Sequence, residues 1–144
     1  MLNQAAALDL GPARNDAGAQ DEPRADILDQ GSLDNIRVLQ KPGKPNLLEK
    51  IVRFYLRDAP RLMQTMGDAV SAADRDALLR AAHTMKSSSA NLGALRLARL
   101  CKEMEEEARG AAIPHAPARL VLVEHEFKLV RAALCACIGD TSND

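Results

Sequence analysis

From residue 32 onward, apolar residues recur every three or four positions along most of this chain. Steps of that size gather side chains on one face of a helix. The longest stripe runs through Leu48, Ile51, Val52, Tyr55, Leu56, Ala59, Leu62, Met63, Met66, Ala69 and Val70, with Asn46 placed to cap it. Pro60 lies inside the stripe and predicts a kink, because its ring removes one hydrogen bond and crowds the preceding turn. Upstream, Ser32 is placed to cap a short helix over Leu33–Leu39, which the Lys-Pro-Gly-Lys-Pro run at 41–45 stops. Downstream, Asp74 caps a helix over 75–91 that ends at Gly93. A fourth helix runs from Ala94 to Arg109 with Leu97, Leu100, Cys101 and Met104 inward. Its acids Glu103, Glu105, Glu106 and Glu107 read as a solvated face. Pro114 and Pro117 interrupt the chain before a fifth helix over 117–137, with Leu120, Val123, Phe127, Val130 and Leu134 at core spacing. There is no internal repeat and no strand-like alternation. The pattern predicts an all-α protein: an antiparallel up-down four-helix bundle with an extra short N-terminal helix. The bundle is expected over 26–138, with 1–25 as a flexible tail or linker and 139–144 as a frayed end. A short amphipathic stretch near 2–10 has the pattern to dock on the body as a helix.

Composition narrows what such a bundle does. A chain of 144 residues buries roughly two thirds of its unfolded surface, so it needs neither metal nor disulfide to fold. Nineteen basic against twenty acidic residues leave a net charge of −1, which gives no field to recruit nucleic acid or an anionic membrane. Phe54, Tyr55 and Phe127 are the only aromatics, too few for base stacking. Cys101, Cys135 and Cys137 form no disulfide framework, and the Cys-x-Cys pair lacks the second half of a zinc site. That usage points to a reduced, intracellular protein. The N-terminal residues lack a basic segment followed by an apolar run, and no stretch is long and apolar enough to span a membrane. The expected location is the cytoplasm. His115 lies between two prolines and His125 stands alone on the last helix. Neither has a partner at metal-ligand spacing, so no metal is expected.

The helix over 75–91 carries the chemistry. With His83 at zero and about 100° per residue, Leu78, Ala81, Met85, Ser88 and Leu92 fall within about 40° of the opposite side. Asp76, Leu79, Arg80, His83, Lys86, Ser87 and Ala90 fall on the His83 side. The histidine therefore faces water in mid-helix, which argues against a satisfied core group and leaves a plain surface residue as the alternative. Its neighbours distinguish it. Lys86 lies one turn later, where its ammonium reaches a group attached to the imidazole. Ser87, at the position that would crowd the ring, is small, and Ser88, Ser89 and Ala90 continue the small run. An exposed imidazole, largely neutral near pH 7, is a competent nucleophile toward phosphorus.

The segment Ala82-His83-Thr84-Met85-Lys86-Ser87-Ser88-Ser89-Ala90-Asn91-Leu92-Gly93-Ala94 resembles the signature of histidine phosphotransfer (HPt) domains. The flanks agree: Leu47-Leu48-Glu49 through Phe54 and Asp58-Ala59-Pro60-Arg61-Leu62 resemble the preceding helix of the family, Asp74–Leu79 its lead into the histidine helix, and Leu97–Glu105 the helix after. The resemblance covers residues 32–110. It implies that His83 accepts a phosphoryl group, through Nε2, and that Lys86 steadies the phosphoryl oxygens. Leu79, Arg80, Ser87 and Ala90 would form the docking surface for a partner. Ser87 stands where the family usually has Gly, a departure that bears on partner choice.

The implied function is reversible phosphoryl transfer between His83 and aspartates of response-regulator receiver domains, fed by a hybrid sensor histidine kinase. Mg²⁺ is expected on the receiver, with no cofactor here. The sequence shows no clustered carboxylates beside His83 and no Gly-rich phosphate loop. A phosphocarrier without autokinase activity is expected, and a monomer. A sensor-kinase dimerisation helix is disfavoured by Thr84, since that class usually has an acid directly after its histidine. The alternative from another class is an HPt-like bundle acting as a non-phosphorylated interaction module, against which the pairing of His83 with Lys86 argues.

Overall fold

The computed structural model describes residues 27–139. The expectations for residues 1–25, for the stretch near 2–10 and for the end after Gly139 lie outside the described residues. Every regular element among those described is helical: α1 (Gln30–Arg37), α2 (Leu47–Ala72), α3 (Arg75–Asn91), α4 (Leu95–Ala108) and α5 (Ala116–Cys137). Two residues join α2 to α3 and three join α3 to α4, lengths that fold consecutive helices back on one another. Helix α3 packs on α2 and α4, α4 on α5, and α5 on α2, which closes a four-helix bundle; α1 rests on α2 and α3.

Local chemistry sets most boundaries. Asn46 caps α2 by accepting the Glu49 N–H at 3.0 Å, and Asp74 caps α3 by accepting the Ala77 N–H at 3.1 Å. Helix α1 departs from expectation, since Asp29 and not Ser32 caps it. The Asp29 carboxylate accepts from both the Ser32 backbone N–H at 3.0 Å and its hydroxyl at 2.7 Å. A carboxylate at a helix N-terminus also meets the positive end of the dipole, so the helix begins earlier. Pro60 sits within α2, which continues as helix from Leu47 to Ala72; its ring is exposed, and lacking an N–H it forfeits one hydrogen bond of that helix.

The α2–α3 turn uses Ala73 in a left-handed conformation (φ 54°), and the Asp74 N–H returns to the Ala69 carbonyl at 2.8 Å. Left-handed backbone costs a side-chain-bearing residue roughly 1–2 kcal/mol, partly offset by the greater freedom glycine has when unfolded. Ala73→Gly is therefore expected to stabilise the protein by about 0.5–1 kcal/mol, read from the urea midpoint at unchanged m-value.

With few aromatics the core is filled by aliphatic and thioether side chains. Met66, Met85 and Met104 are fully buried among Leu33, Leu78, Leu97, Val123 and Leu134. Methionine adapts to irregular gaps between helices. The Tyr55 and Phe127 rings meet at 6.0 Å between centroids, and the Tyr55 hydroxyl shares a buried hydrogen bond of 2.8 Å with the Ser89 hydroxyl. Burial raises the Tyr55 phenol well above its ordinary range and pushes the Cys101 thiol up to about 12, leaving it an inert core residue.

Ser89, not Ser88, is thus the buried serine of α3, alongside Leu78, Ala81, Ala82 and Met85. The buried sector is rotated by about 30° from the antipode of His83, because α3 is gripped from two sides. The acidic run of α4 is not a uniform solvated face either. Glu105 is buried. Glu107 accepts the His115 backbone N–H at 2.6 Å, at the start of α5, and binds Arg119 of α5 at 2.8 Å.

Candidate functional site

Helix α3 presents His83 with 58% of its side chain exposed, and beneath it lies a carboxylate only 4% exposed, Glu105 of α4. His83 Nδ1 is 2.8 Å from Glu105 Oε2. Lys86 Nζ donates to Oε1 of the same carboxylate at 2.6 Å, and the Arg109 guanidinium donates to Oε2 at 2.8 Å. One buried carboxylate thus gathers three side chains, His83, Lys86 and Arg109. Lys86 comes from one turn along α3, while Arg109 follows Glu105 by one turn at the end of α4.

This arrangement corrects the expectation that Glu105 belongs to a solvated face: it is a single buried carboxylate beside His83. The acidic run of α4 by itself places Glu105 on a solvated face and gives Arg109 no role at the site. The signal was nonetheless present: Glu105 is four residues after Cys101 and three before Ala108, both buried, so it occupies the inward stripe of α4. An acid on such a stripe needs partners.

The electrostatics favour an ionised carboxylate at neutral pH. The Lys86 hydrogen bond, joined by that of His83 and by both charges, holds the Glu105 carboxyl down to about 2 against a burial effect that would raise it. An ionised carboxylate only accepts hydrogen bonds. His83 Nδ1 must therefore carry the proton of their bond, so that in the neutral ring Nε2 keeps its lone pair. The depressed carboxyl also fixes the sign of a pH effect. Its stabilising contribution is complete above the ordinary value of 4.5 and is lost as pH falls through about 2. Glu105→Gln is expected to flatten the fall in stability across that window, as measured by urea midpoints at successive pH values.

The proposed docking residues lie around the histidine on α3. Arg80 and Ser87 are exposed, and Leu79 and Ala90 are half-buried. His115 and His125 are exposed elsewhere, at the start and on the outer side of α5. Among the described residues no cluster of three or more His, Cys, Asp or Glu is placed to hold a metal ion. Among them, too, no helix is long and apolar enough to cross a membrane.

A closed helical bundle that raises one supported imidazole to solvent defines a narrow class of protein, and comparison with known proteins gives it a family. The family model described as the Hpt domain matches residues 50–133, from early α2 to late α5. The crystal structure of histidine-containing phosphotransfer protein B from Pseudomonas aeruginosa superposes with a TM-score of 0.69 at 32% sequence identity, covering 77% of this chain and 93% of that one. Histidine-containing phosphotransfer protein 5 of Arabidopsis thaliana is 26% identical over 115 residues, which is 75% of this chain and 73% of the plant protein. This chain belongs to the Hpt domain family.

Proposed function

We propose that this protein is a histidine phosphocarrier of a two-component phosphorelay, with His83 as its phosphoacceptor. The observation that carries the reading is the 2.8 Å bond between His83 Nδ1 and the buried Glu105 carboxylate, which orients the ring and leaves Nε2 free toward solvent. In the forward step the Nε2 lone pair attacks the phosphorus of a receiver-domain aspartyl phosphate. The Nε2–P bond forms as the P–O bond breaks, and its electron pair leaves on the aspartate. The reverse step passes the group to another receiver. Phosphoryl transfer depends on positioning and charge neutralisation, and Lys86 is the cation held one turn from the ring. Mg²⁺ belongs to the receiver. Leu79, Arg80, Ser87 and Ala90 surround the histidine as the face a receiver docks on. The protein acts as a monomer in the cytoplasm, charged through a hybrid sensor histidine kinase and without autokinase activity.

The test is incubation with a receiver domain charged by acetyl phosphate and Mg²⁺. An acid-labile, alkali-stable phosphate on His83 is the expected result. No label from any of several receivers, with the helical fold intact, would leave a binding module instead. Lys86→Ala is expected to slow uptake by about a hundredfold, the usual size of one lost charge-stabilising donor, in single-turnover transfer assays.

A further inference from the structure

The charge carried by the phosphorylated ring leads from Glu105 as a support to Glu105 as a participant in release. The inference rests on the reading that His83 carries the phosphoryl group. When a neutral imidazole bearing Nδ1–H attacks through Nε2, no proton leaves the ring. The product has a phosphoryl group on Nε2, a hydrogen still on Nδ1 and a positive charge shared between the two nitrogens. When a receiver aspartate later attacks the phosphorus, the Nε2–P bond breaks and its electron pair returns to Nε2. If Nδ1 is still protonated, the leaving group is a neutral imidazole. If Nδ1 has lost its proton, the leaving group is an imidazolate, a far stronger base and a poorer leaving group. The efficiency of release therefore depends on where that proton resides.

We infer that Glu105 keeps Nδ1 protonated while His83 is phosphorylated, so that the histidine remains a good phosphoryl donor at and above neutral pH. Three observations support this. The Glu105 carboxylate lies 2.8 Å from Nδ1, in contact with the nitrogen that bears the charge. It is buried, so water screens the attraction poorly. Its two oxygens are also bound by Lys86 and Arg109. These cations make the carboxylate a weak base, consistent with its depressed carboxyl, so it accepts the Nδ1 hydrogen bond without taking the proton. The charged groups in contact at the site are Glu105 and Arg109 from α4 and Lys86 from α3, with Arg80 on the exposed side of α3. Only Glu105 is negative, and it alone touches Nδ1. Glu105 is thus a positioning residue that acts through His83, with no contact to phosphorus required of it.

The test uses the full-length protein phosphorylated on nitrogen-15-labelled His83. Nitrogen NMR reads the protonation of Nδ1 from about pH 6 to about pH 9, while stopped transfer to a receiver reads the rate over the same range. In the wild type Nδ1–H should persist through neutrality and the transfer rate should stay level with it. In Glu105→Gln the amide oxygen still accepts the hydrogen bond but carries no charge. The midpoint of Nδ1 deprotonation should then fall by about one pH unit or more, and transfer above that midpoint should slow by about tenfold. Equal midpoints in the two proteins would overturn the inference, as would a wild-type phosphohistidine already deprotonated at neutral pH. The second result needs no variant to fold. Failure of the underlying reading looks different, because no phosphorus coupling would then appear on the His83 ring nitrogens.

Discussion

His83→Gln is expected to remove phosphoryl uptake altogether, at least about a thousandfold below wild type, with the fold unchanged. The expected loss is that large because a carboxamide nitrogen has its lone pair delocalised into the carbonyl and is no nucleophile toward phosphorus. The fold should survive because His83 is mostly exposed. Glutamine is also at least as good a helix former as histidine. Glu105 loses one of its three partners but keeps Lys86 and Arg109, so its buried charge stays paired. The measurement is label incorporation from a phosphorylated receiver, with circular dichroism and thermal midpoint alongside. His115 and His125 serve as internal controls, since both are exposed imidazoles without a carboxylate bond of this kind among those observed. If the Gln variant is still labelled, or label appears on either of them, His83 is not the acceptor.

The contrast between these histidines shows which features of the site were legible in the sequence. That His83 faces water follows from its angle on a single helix, and the nearness of Lys86 follows from a step of three. Both are properties of one element, and helical periodicity delivers them. The caps Asn46 and Asp74 are similarly local. Glu105 is different, because its partner lies 22 positions away on another helix. Pairing them requires the axial offset and rotation of α4 against α3, which no single-helix pattern contains. The same limit explains Ser88 and Ser89. Stripes through Leu78-Ala81-Met85-Ser88 and through Leu78-Ala82-Met85-Ser89 have equally helical spacing, and only the Tyr55 hydroxyl arriving from α2 decides between them. At α1 the competition is chemical, since two good caps stand three residues apart. Asp29 prevails because it binds both donors of Ser32, and the chain around it is pinned by a contact that sequence alone does not reveal.

That contact makes Gly93→Ala the substitution with the largest expected effect on stability. Gly93 closes the turn between α3 and α4 at φ +81°, a conformation costing a residue with a Cβ roughly 1–2 kcal/mol. A Cβ there would also lie 2.6 Å from the Asp29 carbonyl oxygen and 2.9 Å from the Asp29 nitrogen. Both are backbone atoms, so no side-chain rotation relieves the clash. The Asp29 N–H donates to the Gly93 carbonyl at 2.8 Å, and Asp29 caps α1, so pushing the two strands of chain apart strains that bond and loosens the cap together. Overpacking of this kind adds about 1–3 kcal/mol. The sum, about 2–5 kcal/mol, corresponds to a fall of roughly 10 °C or more in thermal midpoint for a domain of this size. Gly43→Ala separates the two causes, since Gly43 has a φ of +75° but nothing within 4 Å of its would-be Cβ. It should cost about 1 kcal/mol from conformation alone. Equal losses in the two variants would show that the approach of Asp29 contributes nothing. A large excess for Gly93→Ala, with phosphoryl uptake retained in the cold, would place the glycine's role in anchoring α1 to the α3–α4 turn and not in the chemistry of His83, ten residues earlier on α3.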